Sequence, residues 1–317
     1  LSGCNGSTTS TDENSFQGEL LIEIENPCLN STQSITQSMT SILVNEEERI
    51  FRLSVPNSEA GTKLPIVIAF HGGGGSEEDF QQQNEFDQLG EEEKFIMAYA
   101  IAESDRTASE GEWYLNTAAT SKDDNHFSEA IVDELSNSYC IDEERLYAIG
   151  YSLGSMFTYE IACQLNHRFA AVASFAGTMP VNPETCDLTG SMAVMHIHGK
   201  LDYIIDYDED WDWKEGEHDG VGTMSNIPGM IDFWAQNSNC QSENTHSHLF
   251  GGDDVNLPLR QIHIVSPKMK AAPINRPTLS EMFVRSNKQQ TMNKKQQTTT
   301  NIQETKTQQT THNLSLI

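Results

Sequence analysis

The sequence predicts an α/β domain whose sheet is mostly parallel and carries helices on both faces. Two observations support that expectation. Leu64-Pro65-Ile66-Val67-Ile68-Ala69-Phe70 is an uninterrupted apolar run, as a strand buried on both faces must be. After it, short apolar runs alternate with segments whose apolar residues recur every third or fourth position, the order of a sheet assembled from strand–helix–strand units.

The elements follow in turn. The first run ends in His71-Gly72-Gly73-Gly74-Gly75 and Ser76, a loop and helix cap, before a polar helix that contains Phe80, Phe86 and Leu89. Phe95 to Ile101 reads as a second strand. Phe127, Ile131 and Leu135 recur every fourth residue and mark one face of a helix. Leu146 to Ile149 is a third strand, and Leu153, Phe157, Ile161 and Leu165 mark the helix behind it. Ala170 to Phe175 and Met192 to Ile197 add two strands, and Ile227, Ile231 and Trp234 a last helix before Cys240.

Charge divides the 317 residues. Residues 1–240 carry 10 Lys/Arg against 42 Asp/Glu, whereas 241–317 carry 9 against 5. An acidic body of this kind lacks the cations that nucleic acids and anionic lipid surfaces require. No run of roughly 18 apolar residues is present to cross a bilayer as a helix. All Trp, Tyr and Cys lie at or before position 240, and 18 of the 27 residues from Ser286 to His312 are Gln, Asn or Thr. Such a stretch buries too little apolar surface to offset its ordering entropy. The expected organisation is a polar tether over 1–18, a folded domain over 19–240 and a largely disordered tail over 241–317. A linker and a change of reading frame would each produce this shift.

The strongest chemical motif is Gly150-Tyr151-Ser152-Leu153-Gly154, between an expected strand and an expected helix. At that turn a serine is held in a strained backbone with its hydroxyl exposed. The Leu153 N–H, at a helix N-terminus, can donate to a developing oxyanion. The glycine loop after the first strand supplies a second donor, with Gly73 as the candidate. A phosphate cradle is excluded because no Gly-Lys-Ser/Thr follows. The third motif is His196-Ile197-His198-Gly199-Lys200-Leu201-Asp202, which places Asp202 just past a strand, where the acid of a Ser-His-Asp triad belongs. Asp202 also suits an Asx turn. His196 and His198 share one strand face, but no third metal ligand lies at a clear spacing, so no metal or cofactor is expected.

These motifs together resemble the secreted feruloyl esterase and polyhydroxybutyrate depolymerase-like α/β-hydrolases, relatives of carbohydrate esterase family 1, over about Leu64 to Cys240. Ile141-Asp142-Glu143-Glu144-Arg145-Leu146-Tyr147, Phe169-Ala170-Ala171-Val172-Ala173 and Trp234-Ala235 add to the likeness. The resemblance implies an α/β-hydrolase fold and an esterase with Ser152 as nucleophile, Asp202 as triad acid and oxyanion donors near Gly73 and Leu153. The family carries its histidine in a Gly-His-x-Trp-Pro-Gly-like loop after a final strand, and nothing past Cys240 matches it. Of His246, His248, His263 and His312, His263 has a plausible separation from Asp202 and is the candidate base, although its surroundings read as a strand interior.

Three smaller readings complete the expectation. Asp206, Asp208, Asp210, Asp212 and Glu217 have the oxygen spacing of a calcium loop, but Trp211 stands where the turn needs Gly, so the stretch reads as a solvated acidic loop. Trp211 and Trp213 are candidates to line the substrate cleft. Leu1-Ser2-Gly3-Cys4 resembles a bacterial lipobox, which implies lipidation at Cys4 and a membrane link through that anchor alone. Export to the extracellular space or cell envelope fits the remaining five cysteines, enough for up to two disulfides. The expected partner is an ester substrate: a feruloylated or acetylated plant polysaccharide, or a polyester for a depolymerase with the same triad. A binding lipoprotein that lost its base is the reading from a different class.

Overall fold

A computed structural model describes residues 26–30, 36–84, 86–102, 113–115, 123–180, 186, 188–189, 192–212, 223–238, 245–250 and 260–265. Cys4, the 1–18 tether and Trp213 lie outside the described residues, as do Cys240 and everything after Val265.

The buried run becomes strand β3 (Leu64–Phe70), all seven residues of which are buried. Its side chains alternate between two cores. Ile66, Ile68 and Phe70 pack with helices α3 (Asp123–Ser138), α4 (Leu153–Gln164) and α5 (Ile227–Asn237). Val67 and Ala69 pack on the other face with Phe80 of α1 (Glu77–Asn84) and with Phe86 and Leu89 of α2 (Phe86–Glu93). The single polar helix expected after the glycine loop is therefore two. This two-sided covering lets strands in the centre be apolar throughout.

Beside β3 run β4 (Ile96–Ala100), β5 (Ile141–Tyr151), β6 (Ala171–Phe175) and β7 (Ala193–Gly199), all parallel, in the order β4-β3-β5-β6-β7. An N-terminal hairpin, β1 (Thr36–Val44) and β2 (Glu47–Val55), extends the sheet through an antiparallel β2–β4 pairing. Its two-residue turn, Asn45 and Glu46, has both φ values positive, the backbone that matches the twist of a tight hairpin. The hairpin is tied to α3 by a buried ion pair, Arg49 to Asp124 at 2.9 Å.

The sheet does not stop at Cys240. Strands β10 (Thr245–Phe250) and β11 (Arg260–Val265) complete nine strands, with β11 antiparallel to both β7 and β10. Composition marked this stretch as tail, but the polar–apolar alternation of Gln261-Ile262-His263-Ile264-Val265 is enough to zip onto the edge of β7 through backbone hydrogen bonds. Seven of the nine strands run in one direction; β2 and β11 oppose them. A two-stranded piece, β8 (Trp211–Asp212) with β9 (Thr223–Met224), follows the loop that carries Asp202.

Two disulfides brace the fold. Cys28–Cys140 fastens the N-terminal segment to the start of β5, and Cys163–Cys186 fastens the end of α4 to the segment before β7.

Candidate active site

Ser152 sits between β5 and α4 with φ 52° and ψ −119°, a left-handed backbone that a residue bearing a Cβ rarely adopts. Two glycines make the turn possible. A Cβ on Gly150 would collide with the Gly154 backbone, and a Cβ on Gly154 would collide with the carbonyls of Phe70 and His71. The helix therefore begins directly against the end of β3. The Ser152 N–H donates to the Phe175 carbonyl at 2.8 Å, which ties the turn to β6. Ala176, the next residue of that strand end, is also left-handed at φ 52°. Among the described residues the Ser152 hydroxyl makes no hydrogen bond.

The glycine loop lies on this elbow. Gly72 faces the Tyr151 ring and the Ser152 Cβ, where an added Cβ would approach to 3.0 and 3.2 Å, and Gly73 faces the Leu153 side chain. Gly74 takes a positive φ of 67°. The two candidate oxyanion donors, Gly73 and Leu153, thus stand next to each other and next to the serine. His71 pins the loop from below: its Nδ1–H donates to the Gly72 carbonyl at 2.9 Å, and its Nε2 accepts from the Ala102 N–H at 3.3 Å. Both bonds suit a neutral ring, and burial holds its pKa below the ordinary imidazole value. The Trp113 indole N–H donates to the His71 carbonyl at 2.8 Å. His71 is legible in the sequence as part of the glycine loop, but its contacts with Ala102 and Trp113 are not, because those residues are distant in the chain.

Beneath the elbow runs a buried polar chain. Ser155 hydrogen-bonds Ser174, and the Ser174 and Tyr159 hydroxyls lie 3.0 and 2.8 Å from His196 Nδ1. His198, two residues on along β7, stacks on His196 with ring centroids 5.3 Å apart. The histidine pair is thus engaged in the core, and no group of three or more metal-ligating side chains occurs among the described residues.

Asp202 follows β7 at the same edge of the sheet. Its Oδ1 accepts the N–H groups of Ile204 and Ile205 at 2.9 and 3.0 Å, the Asx turn that its type and position allow, and Oδ2 lies 3.6 Å from His198 Nε2. Asp206 closes a second such turn with the N–H groups of Asp208 and Glu209, and Asp210 accepts from the Asn226 backbone and side chain. Trp211 opens β8.

His263 lies on β11, apart from the elbow. Register places Gly150, Ser174, His196 and His263 in one row across β5, β6, β7 and β11. Three inter-strand spacings separate it from β5, about 14 Å, more than a histidine and a serine side chain can bridge. The reason is topological: β11 runs against β7, so His263 is held inside the ladder while the strand itself leads away from Ser152, from Arg260 opposite Gly199 to Val265 opposite Val194.

The profile of one protein family, described as phospholipase/carboxylesterase, matches residues 55–216, just over half of the chain and all of the elements that build the elbow, the glycine loop and the Asp202 turn. The chain belongs to the phospholipase/carboxylesterase family. Its relatives include "Putative esterase NocK" from Nocardia uniformis subsp. tsuyamanensis, 29% identical over 55% of this chain and 51% of that one. Another is the bifunctional acetylxylan esterase/xylanase XynS20E of Neocallimastix patriciarum, 22% identical over 65% of this chain and 29% of that protein. The chain therefore spans about half the length of the first relative and under a third of the second. Among solved structures, the fluorophosphonate-binding serine hydrolase FphF of Staphylococcus aureus aligns over 66% of this chain and 76% of its own, at 12% identity and a TM-score of 0.43.

Proposed function

We propose that this family member is a serine esterase that cleaves carboxylic esters through an acyl-enzyme on Ser152. The single observation that carries the reading is the strained Ser152 elbow with the glycine loop packed against it. In the proposed sequence, Oγ of Ser152 attacks the ester carbonyl and a histidine accepts its proton. The N–H groups of Gly73 and Leu153 hold the oxyanion, the alcohol leaves with the proton, and water then releases the acid. Asp202 orients the histidine and stabilises its charged form. The proposal does not give that role to His263, because its strand position lies three strands from β5. The proposed substrates are feruloyl- or acetyl-type esters of plant polysaccharide, met outside the cell or in the cell envelope, with Cys4 as the lipidated residue. The two disulfides support an oxidising compartment.

A polyester depolymerase is the second reading, and one feature favours it. Tyr151, Leu201, Tyr203 and Ile204 are half of the large apolar side chains exposed among the described residues, and all four flank Ser152 or Asp202.

Hydrolysis of a short-chain aryl ester by the full chain, beside Ser152→Ala, tests the proposal. Turnover that falls by about a thousandfold or more in the variant supports the acyl-enzyme. A folded parent chain without turnover would instead make it the binding lipoprotein. Feruloylated xylan against hydroxyalkanoate oligomers then separates the two esterases.

A further inference from the structure

The histidine of the His198-Gly199 step has no part in the acyl-enzyme chemistry, yet it is held in a specific way. Its side chain is fully buried at the end of β7, directly under the loop 199–206, while the Asp202 carboxylate above it is 21% exposed. The Nε2–H donates to the Ile205 carbonyl at 2.9 Å. That carbonyl belongs to the same residue whose N–H is one of the two donors on Asp202 Oδ1. The ring is wedged between His196 on one side and Tyr207, 6.1 Å away and tilted, on the other. Tyr207 in turn carries Lys200 over its ring at 5.2 Å. The loop is thus an arch with ends at Gly199 and Tyr207; the Ile227 N–H donates to the Tyr207 carbonyl at one end, and the imidazole reaches the span between from the core.

We infer that His198 is a positioning residue for Asp202. By holding the Ile205 carbonyl it fixes the turn, and the turn grips Oδ1 through two N–H groups. With Oδ1 engaged and Oδ2 at 3.6 Å from His198 Nε2, beyond a hydrogen bond, the carboxylate presents Oδ2 as the oxygen that accepts from an imidazole. Without the bond to Ile205, the 202–205 turn keeps the Asp202 N–H bond to the Gly199 carbonyl at the strand end but loses the side-chain tie that holds its far end to the strand below, and the carboxylate turns with it. The inference rests on Asp202 being the triad acid.

The test is a double-substitution cycle in the full chain, read as kcat and KM on an aryl ester, with thermal melting as the check on folding. The single variants are His198→Leu, which keeps bulk and removes the donor, His198→Gln, whose amide nitrogen reaches the place of Nε2, and Asp202→Asn. His198→Leu should lose about tenfold in kcat with KM unchanged, the signature of a displaced catalytic group. His198→Gln should recover most of that loss. In the Asp202→Asn background His198→Leu should cost nothing further in kcat, although it lowers the melting temperature by the same amount as in the parent.

Multiplicative losses in the double variant, or a folded His198→Leu with the kcat of the parent, would overturn the inference alone. An Asp202→Asn variant as active as the parent, or a parent without turnover, would overturn the reading of Asp202 and this inference with it. Should His198→Leu not fold, His198→Gln against His198→Asn decides. The shorter amide cannot reach Ile205, so equal kcat values in the two would overturn the inference.

Discussion

Replacing Gly154 by alanine probes the contact that builds the site. The added Cβ would stand 2.6 Å from the Phe70 carbonyl carbon and nearer still to the carbonyl oxygens of Phe70 and His71. Carbon atoms in ordinary contact are about 3.5–4.0 Å apart, so helix α4 and the glycine loop must separate by about 1 Å. All the obstructing atoms are backbone, and no rotamer relieves them. Overpacking of this kind costs about 1–3 kcal/mol of stability. The larger effect is on rate. The displacement falls between the serine on α4 and the donor on the loop, and a shift of about 1 Å between reacting groups lowers turnover about a hundredfold. The assay is aryl-ester hydrolysis at saturating substrate, with thermal melting alongside. Gly199→Ala is the control: it ends β7 at the same sheet edge, a Cβ there meets nothing within 4 Å, and its rate should stay within about twofold. A folded Gly154→Ala protein with the turnover of the control would refute the claim that elbow and loop form one catalytic unit.

Three further outcomes are expected. Asp124→Ala removes the carboxylate that pairs with the Arg49 guanidinium, 2% exposed, and accepts from the Tyr114 N–H, a loss of about 3–5 kcal/mol in urea unfolding. Opening both disulfides should lower the melting temperature, and Cys28→Ser/Cys140→Ser, which frees a 112-residue loop, should cost about 5 kcal/mol against about 3 for Cys163→Ser/Cys186→Ser with its 23-residue loop. The third concerns pH. Burial keeps the His71 and His198 pKa values below 6.5, so as pH falls past that value the unfolded chain takes up protons that the folded one refuses. The stability this confers is full above the unfolded pKa and is lost as pH drops from there toward the folded values. Melting temperature should therefore decline more steeply below pH 6.5 in the parent than in His198→Gln, and identical slopes would contradict the assignment.

How much of this was legible in the chain follows from the range of each interaction. The bounds of β3 match the expected run residue for residue, because a strand covered on both faces has nothing but apolar positions to offer. The elbow was readable for the opposite reason: its glycines, serine and flanking elements are contiguous, so one short motif holds the whole constraint. The β1–β2 hairpin escaped notice because β1 is exposed over much of its length and its chain, Thr36–Val44, shows no clean alternation. Composition changes at Cys240 and conceals β10, whereas Gln261–Val265 reads as strand interior and forms β11; edge pairing depends on the backbone and only weakly on side-chain type. Asp202 allows two sequence readings, triad acid and Asx turn; the Asx turn forms through Oδ1, which leaves Oδ2 for the role proposed above.

The bond between Cys28 and Cys140 gives the molecule a heel and a toe. It clamps the chain's entry at the amino end of β5, and the nucleophile stands just past that strand's other end, at Tyr151. Ile141 to Gly150 of β5 pairs with Leu64 to Phe70 of β3, six steps of about 3.3 Å, which puts roughly 20 Å between the two ends. A protein moored by residues upstream of Asn26 would stand on its heel with the glycine loop and Ser152 turned away from the support, toward whatever passes by, including polymers too large to slip underneath it.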